Sequence, residues 1–386
     1  MTIDILPAPR CLIDTAATAD RHGGARIALL AAMLRTADPL ADAVVAEIAA
    51  LGSVARAALH TGLAAGLAAV PGAPPAVVAL LHDAETLPDW VEPERLRRGM
   101  LARLMPGEFW INASLGPGSL VHTYSSPAIA RVLVGTGELV HMADRRLIET
   151  AVWNIETALP GGLLRGAAGY TATLQVRLMH ARVRAGLWRR GHDTDTWGAP
   201  INQVELLRTW FDFTYVPIRA LGNFGIHFTS SEIGDLYHLW HYIAHLLGVA
   251  PALYRQIVDQ ASAAAWLDLI NSTSAPADAN SKLLVDALLT SYGSQLVAPT
   301  LRIKPAQGIA VAHAFARHLH GDTIADTLDI RRVPVRHLFP LIIAATRAQQ
   351  AWQRRVPGGI ERAAAATVAT FRSQLAAVDW APAYTS

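Results

Sequence analysis

One cysteine, Cys11, stands in 386 residues, which excludes a disulfide framework and any cluster of thiolate metal ligands. Charge is also scarce. Charged residues make up 17% of the chain and the formal net charge is only +2, against about 25% charged residues in an average soluble protein. No run of Lys or Arg forms a nucleic-acid footprint, and lysine occurs only at Lys282 and Lys304. Long apolar spans are lacking too. The longest stretch without formal charge, Ala57 to Leu81, is broken by Gly62, Gly66, Pro71, Gly72, Pro74 and Pro75. It therefore reads as two helices joined by a Pro/Gly turn, not as the roughly 20 apolar residues that cross a bilayer. Met1 to Pro7 shows no basic region leading into an apolar core, so the expectation is a cytoplasmic protein without stable membrane insertion. No GxSxG elbow, phosphate loop or Rossmann glycine pattern is present.

Apolar residues, by contrast, are abundant at 52%. With so little charge, disorder is excluded, and the chain has either a large core or apolar surface kept for another use. Its punctuation is helical. Asp38 offers an N-cap, Pro39 follows at the first helical position, and Gly52 closes the segment. Similar segments recur at about 53–69, 93–105, 126–134, 143–158, 166–188, 202–213, 231–247, 251–270, 279–298, 305–320, 334–355 and 358–376. Apolar/polar alternation of period two is scarce, so the fold class expected is all-α. Gly191 to Pro200 and Ser272 to Asn280 read as loops, neither long enough to be an inter-domain linker.

The helix expected over 166–188 carries the most chemistry. Arg177, His180 and Arg184 stand at i, i+3 and i+7, on one helical face. Two guanidinium groups beside an imidazole would hold it neutral, as metal ligation requires. They would also offer paired donors to the carboxylates of a planar cofactor. The same spacing describes a surface helix with scattered basic residues, and spacing alone does not choose between the two. About 30 residues upstream, Arg146, Glu149 and Thr150 share a face, and Leu159-Pro160-Gly161-Gly162 would let the two helices fold back on each other. A rival constellation is His238, His241 and His245, whose i, i+3, i+7 spacing fits a zinc or non-haem iron site; structural histidines fit it as well.

The ordered set Tyr124, Thr136-Gly137, Arg146-Leu147-Ile148-Glu149-Thr150, Gly166 and Val176 to Arg184 resembles the latex-clearing-protein (rubber oxygenase) family, whose domain is shared with fungal oxygenases that cleave terpenoid side chains. Pro200 to Thr209, Tyr237-His238-Leu239-Trp240 with Leu247-Gly248-Val249, and Arg317 to Asp326 continue the resemblance, which covers about residues 105 to 335. It implies a globin-like helical core holding one haem b. It further implies His180 as the axial metal ligand, Arg177, Arg184 and Thr209 as cofactor-binding residues, and Arg146, Glu149 and Thr150 on the distal, catalytic side. Glu138 is the nearest match to a catalytic glutamate upstream of the arginine. The family carries a lysine between that arginine and threonine; here Glu149 holds the place. The sixth iron position would then be open, water-filled, or reached by Glu149, whose pKa an apolar pocket would raise toward neutrality.

The reading is one compact unit: an N-terminal helical addition over 1–104, an oxygenase-like haem core over 105–335, and C-terminal helices over 336–386. The function expected is a haem-dependent oxygenase that inserts dioxygen into a small hydrophobic, unsaturated substrate or cleaves it at C=C. The alternatives are a haem-binding peroxidase-like or sensor protein of the same fold, or a non-haem metal protein.

Overall fold

The computed structural model describes residues 7–135, 143–379 and 382, and all regular structure among them is helical. Helices of eight residues or more are numbered in chain order. The first six are α1 (Thr15–His22), α2 (Gly24–Leu34), α3 (Pro39–Leu51), α4 (Ser53–Ala65), α5 (Pro75–Glu85) and α6 (Pro93–Leu104). Then come α7 (Pro127–Gly135), α8 (Ala143–Ala158), α9 (Ala168–Arg189), α10 (Gln203–Phe211), α11 (Tyr215–Asn223) and α12 (Ser230–Leu246). The last are α13 (Gln260–Ser272), α14 (Ala279–Tyr292), α15 (Pro305–Thr327), α16 (Phe339–Arg355) and α17 (Gly359–Ala376). None of the described helices is long and apolar enough to cross a membrane.

Local chemistry sets the helix ends. Asp38 caps α3 by accepting from Ala41 N at 3.3 Å, with Pro39 at the first helical position as expected. Thr229 and Glu232 cap each other at the start of α12. One expectation is corrected here. The segment expected over 251–270 is two pieces, Pro251–Tyr254 and α13, because Asp259 adopts an extended backbone (φ −152°) and caps a new helix through Ser262 N at 2.7 Å.

The main core joins the N-terminal helices to the middle of the chain. Leu30, Val44, Val77 and Leu80 from the first five helices pack in one cluster with Leu174, Leu207, Leu239 and Trp266. The helices of residues 1–104 therefore share a core with α9, α10, α12 and α13. Burial of that joint apolar surface is the main term holding them together. Helix α17 closes a smaller cluster with Leu104, Ile155 and Phe371, fastened by the Thr367 hydroxyl donating to Leu104 O at 2.9 Å.

Two features position the site. Helices α8 and α9 form an antiparallel hairpin, in which Trp153 Nε1 donates to Thr173 Oγ1 at 3.1 Å. In addition, π-helical turns occur at Ser114–Leu120 and Gly293–Val297. Such turns disturb the regular i→i−4 ladder and re-aim the side chains that follow.

Candidate active site

Helix α9 meets two neighbours, α8 and α3. Seven residues separate Thr173 from His180, which returns both to nearly the same face of a 3.6-residue helix. Thr173 bonds Trp153 of α8, and half-buried His180 stands two turns further along. Going back two turns from Trp153 along the antiparallel partner reaches Arg146. The backbone register thus sets Arg146 opposite His180, with Glu149 and Thr150 one turn further along α8. Glu149 accepts from Arg145 Nε at 3.1 Å, and Thr150 is half-buried. Glu138 lies outside the described residues, as does the side chain of Arg146.

Arg177 and Arg184, on that same face by their spacing, tie α9 to α3 and α5. Arg177 donates through Nε to Asp38 Oδ2 at 2.6 Å and through Nη2 to Asp38 Oδ1 at 3.0 Å, while its Nη1 reaches Asp83 at 3.0 Å. Arg184 Nε reaches Asp42 at 2.8 Å and its Nη1 donates to Ile201 O at 2.9 Å. The expectation of two cofactor-carboxylate clamps gives way to two ion-paired anchors. Their carboxylate partners stand 139 and 142 residues earlier in the chain, a partnership no local spacing announces. Gly248 belongs to this seam: a Cβ there would overlap the Asp38 carboxylate and the Arg177 guanidinium.

The histidines of α12 do not form a metal centre. His238 Nε2 accepts from Glu92 N at 3.0 Å, and His241 Nε2 donates to Ile257 O at 2.9 Å while its ring stacks on Trp210. His245 stacks on Tyr242. Burial pushes His241 down to about 4, so these rings are neutral packing groups. No group of three or more His, Cys, Asp or Glu side chains that could hold a metal ion occurs among the described residues. The alternative of a non-haem metal site on these histidines is thereby overturned.

Thr209, half-buried on α10, stands one turn before Asp212 on the same face. Asp212 anchors a pair that sequence reasoning missed. Its Oδ1 lies 2.5 Å from His122 Nδ1, and its Oδ2 accepts from Thr123 Oγ1 at 2.6 Å. Burial lowers the His122 pKa even though Asp212 pulls it up. The neutral ring therefore donates from Nδ1 to Asp212 and leaves a lone pair on Nε2. That Nε2 is buried and has no hydrogen-bond partner among the described residues. A carboxylate-oriented imidazole of this kind can take up or hand on one proton. His122 and Asp212 are 90 residues apart, and only the π-helical turn and the end of α10 bring them together.

Comparisons with known proteins bear on the family and the fold. Residues 109–352 match a family model described as ER-bound oxygenase mpaB/B′/Rubber oxygenase, catalytic domain. A rubber oxygenase of Streptomyces sp. (strain K30) is 25% identical over 296 residues, 72% of this chain and 67% of that protein. A solved structure of latex clearing protein in its closed state superposes with a TM-score of 0.65 at 20% identity, covering 88% of this chain and 90% of that one. The superposition bears out the all-α fold. The family match spans well over half the chain, so the protein is an oxidoreductase of the oxygenase class and belongs to the mpaB/rubber oxygenase catalytic-domain family.

Proposed function

We propose that this protein is a haem-b oxygenase acting on a small, hydrophobic, unsaturated molecule, with His180 as the axial ligand. The observation that carries the reading is the position of His180. It is half-buried on α9 and opposite Arg146 in the hairpin register, in a chain of an oxygenase family. The donor chemistry fits haem. An imidazole stands along the hairpin, while the lone thiol, Cys11, is pushed up to about 11 by burial and lines a separate small cavity with Glu205 and Arg208. Haem, when bound, supplies the activation of dioxygen that side chains cannot.

The remaining work falls to this chain's own groups. The ion pairs of Arg177 and Arg184 fix α9 against α3 and so hold the His180 ring in one place. Glu149 and Thr150 line the opposite wall, with Arg146 at the register position facing His180. His122, oriented by Asp212 one turn from Thr209, holds a proton site at Nε2. The named relative acts on rubber, an unsaturated hydrocarbon, which supports an apolar alkene as the substrate class here. Dioxygen is the second substrate, and the chemistry is oxygen insertion or cleavage at C=C.

The test is spectroscopic. Purified protein should give a Soret band and a pyridine haemochrome of the b type, and His180→Ala should lose both. A His180→Ala protein with full haem content and an unchanged Soret band would sink the assignment.

A further inference from the structure

The inner side of helix α16 is fastened to the body, and its outer side is apolar as well. Phe339, Thr346 and Gln350 are buried. The Gln350 amide accepts from His227 N at 3.0 Å and donates to His227 O at 2.7 Å. Arg354 adds an ion pair with Glu232 at 2.7 Å. These bonds hold the helix in one rotation about its axis. On the opposite side Leu341, Ala345, Ala348 and Trp352 recur at intervals of four, three and four, which lines them up in one stripe over three turns. All four are exposed, Leu341 at 71% and Trp352 at 62%, and Leu338 just before the helix at 51%. The outward face of a surface helix is ordinarily polar, so a contiguous apolar stripe there marks an interaction surface.

The charge around this stripe is of one sign. Helix α16 carries Arg347, Arg354 and Arg355 and no acidic residue. Arg347 and Arg355 are exposed and make no ion pair among the described residues. Over residues 331–386 eight arginines stand against Glu361 and Asp379, a formal charge of +6 in a chain whose total is +2. The 330 residues before them are therefore net negative. Positive charge is gathered in the segment that holds the apolar stripe.

That pairing chooses among occupants. A second copy meeting this face across a two-fold axis would set its arginines against identical arginines. A nucleic acid would meet a single aromatic ring among aliphatic side chains, not a basic groove lined with stacking platforms. A bilayer with anionic headgroups matches both features, since it takes Leu and Trp at the headgroup boundary and attracts arginine beside them.

We propose that α16 docks on an anionic lipid surface, with Leu341 and Trp352 entering the interface and Arg347 and Arg355 meeting the headgroups. The docking is peripheral and reversible. It does not depend on the haem reading; under that reading it would bring the enzyme to the phase in which an apolar alkene dissolves.

Co-sedimentation of the full-length protein with lipid vesicles tests this. Phosphatidylcholine vesicles containing about 30% phosphatidylglycerol should carry the protein down at low salt, pure phosphatidylcholine far less, and about 0.5 M NaCl should release it. Arg347→Gln with Arg355→Gln should weaken binding to the anionic vesicles roughly thirtyfold, about fivefold for each arginine. Leu341→Gln with Trp352→Gln should weaken it by roughly tenfold or more. All four positions are exposed, so the urea midpoints should stay at the wild-type value. Arg56→Gln with Arg190→Gln, an equal charge change at exposed positions elsewhere, should leave binding unchanged. Wild-type protein that stays in the supernatant with anionic vesicles at low salt would overturn the proposal. So would undiminished binding of the Leu341→Gln, Trp352→Gln protein, or an equal loss in the Arg56→Gln, Arg190→Gln control. A wild-type dimer in solution that Leu341→Gln with Trp352→Gln converts to a monomer would give the face to a second copy and overturn it too. Haem content enters none of these measurements, so the docking and the His180 assignment fail independently.

Discussion

Helix α9 meets two neighbours, α3 and α8, with different chemistry. Toward α3, the guanidinium groups of Arg177 and Arg184 meet three carboxylates, and Arg177 and Asp38 are each only 4% exposed. Burial alone would lower the Arg177 pKa, yet Asp38 and Asp83 raise it on balance. Toward α8, one contact is neutral: the Trp153 indole donates to Thr173, two turns before His180. Charge that is matched inside the protein holds structure. The family's motif places arginines and histidine together on one face of the helix, where the arginines are tied to carboxylates of α3 and α5.

The comparison breaks most sharply at Asp38. Removing one partner of a buried pair strands the other charge, at a cost of about 3–5 kcal/mol, and Asp38 also caps α3. Asp38→Ala should therefore lower the urea midpoint far more than Thr173→Val, which breaks one neutral hydrogen bond across the α8–α9 seam. Equal midpoints for the two variants would erase the distinction between the two contacts.

Glu205 on α10 sharpens it next, being close enough to feel Arg184. Burial pushes its carboxyl up to about 7, with Asn202 and Arg184 opposing only in part. An unfolded glutamate titrates near 4.3. Between roughly pH 4.3 and 7 the folded state then holds a proton that the unfolded chain has lost, so this group's contribution to stability falls as pH rises through that window. Glu205→Gln should match wild type near pH 4 and exceed it at pH 8 by about 1–3 kcal/mol after allowance for solvent screening. A gain that appears at low pH instead would reverse the sign and discard the argument.

The smallest effect is on the α8 side. Thr173→Val keeps the shape but takes the acceptor from the Trp153 indole, costing about 1 kcal/mol in the unfolding midpoint. A loss as large as that of Asp38→Ala would mean that the neutral seam, too, is a main structural joint.

Much of this was legible in the chain. The cap at Asp38 with Pro39, the Pro160–Gly162 turn and the 3.6-residue periodicity act within one or two helical turns, so they declare the all-α fold and most helix bounds without knowledge of neighbours. The same locality explains the break within 251–270. Asp259 competes as a cap, and a window of apolar residues over 251–270 does not weigh that competition. The face shared by Arg177, His180 and Arg184 was legible as a face, but its neighbours were not.

The sequence by itself determined that this protein is helical, poor in charge and thiol, and built around the motif of an oxygenase family. Those properties follow from composition and short-range spacing. Only the tertiary structure decided that Arg177 and Arg184 anchor to Asp38, Asp83 and Asp42, that His122 leans on Asp212, and that the Tyr170 hydroxyl is buried without a partner among the described residues. Each joins groups, or leaves one unjoined, across 90 residues or more or across several helices. Such outcomes are set by which helices pack together, and the burial of apolar surface that drives that packing is non-directional and carries no local signature in the chain.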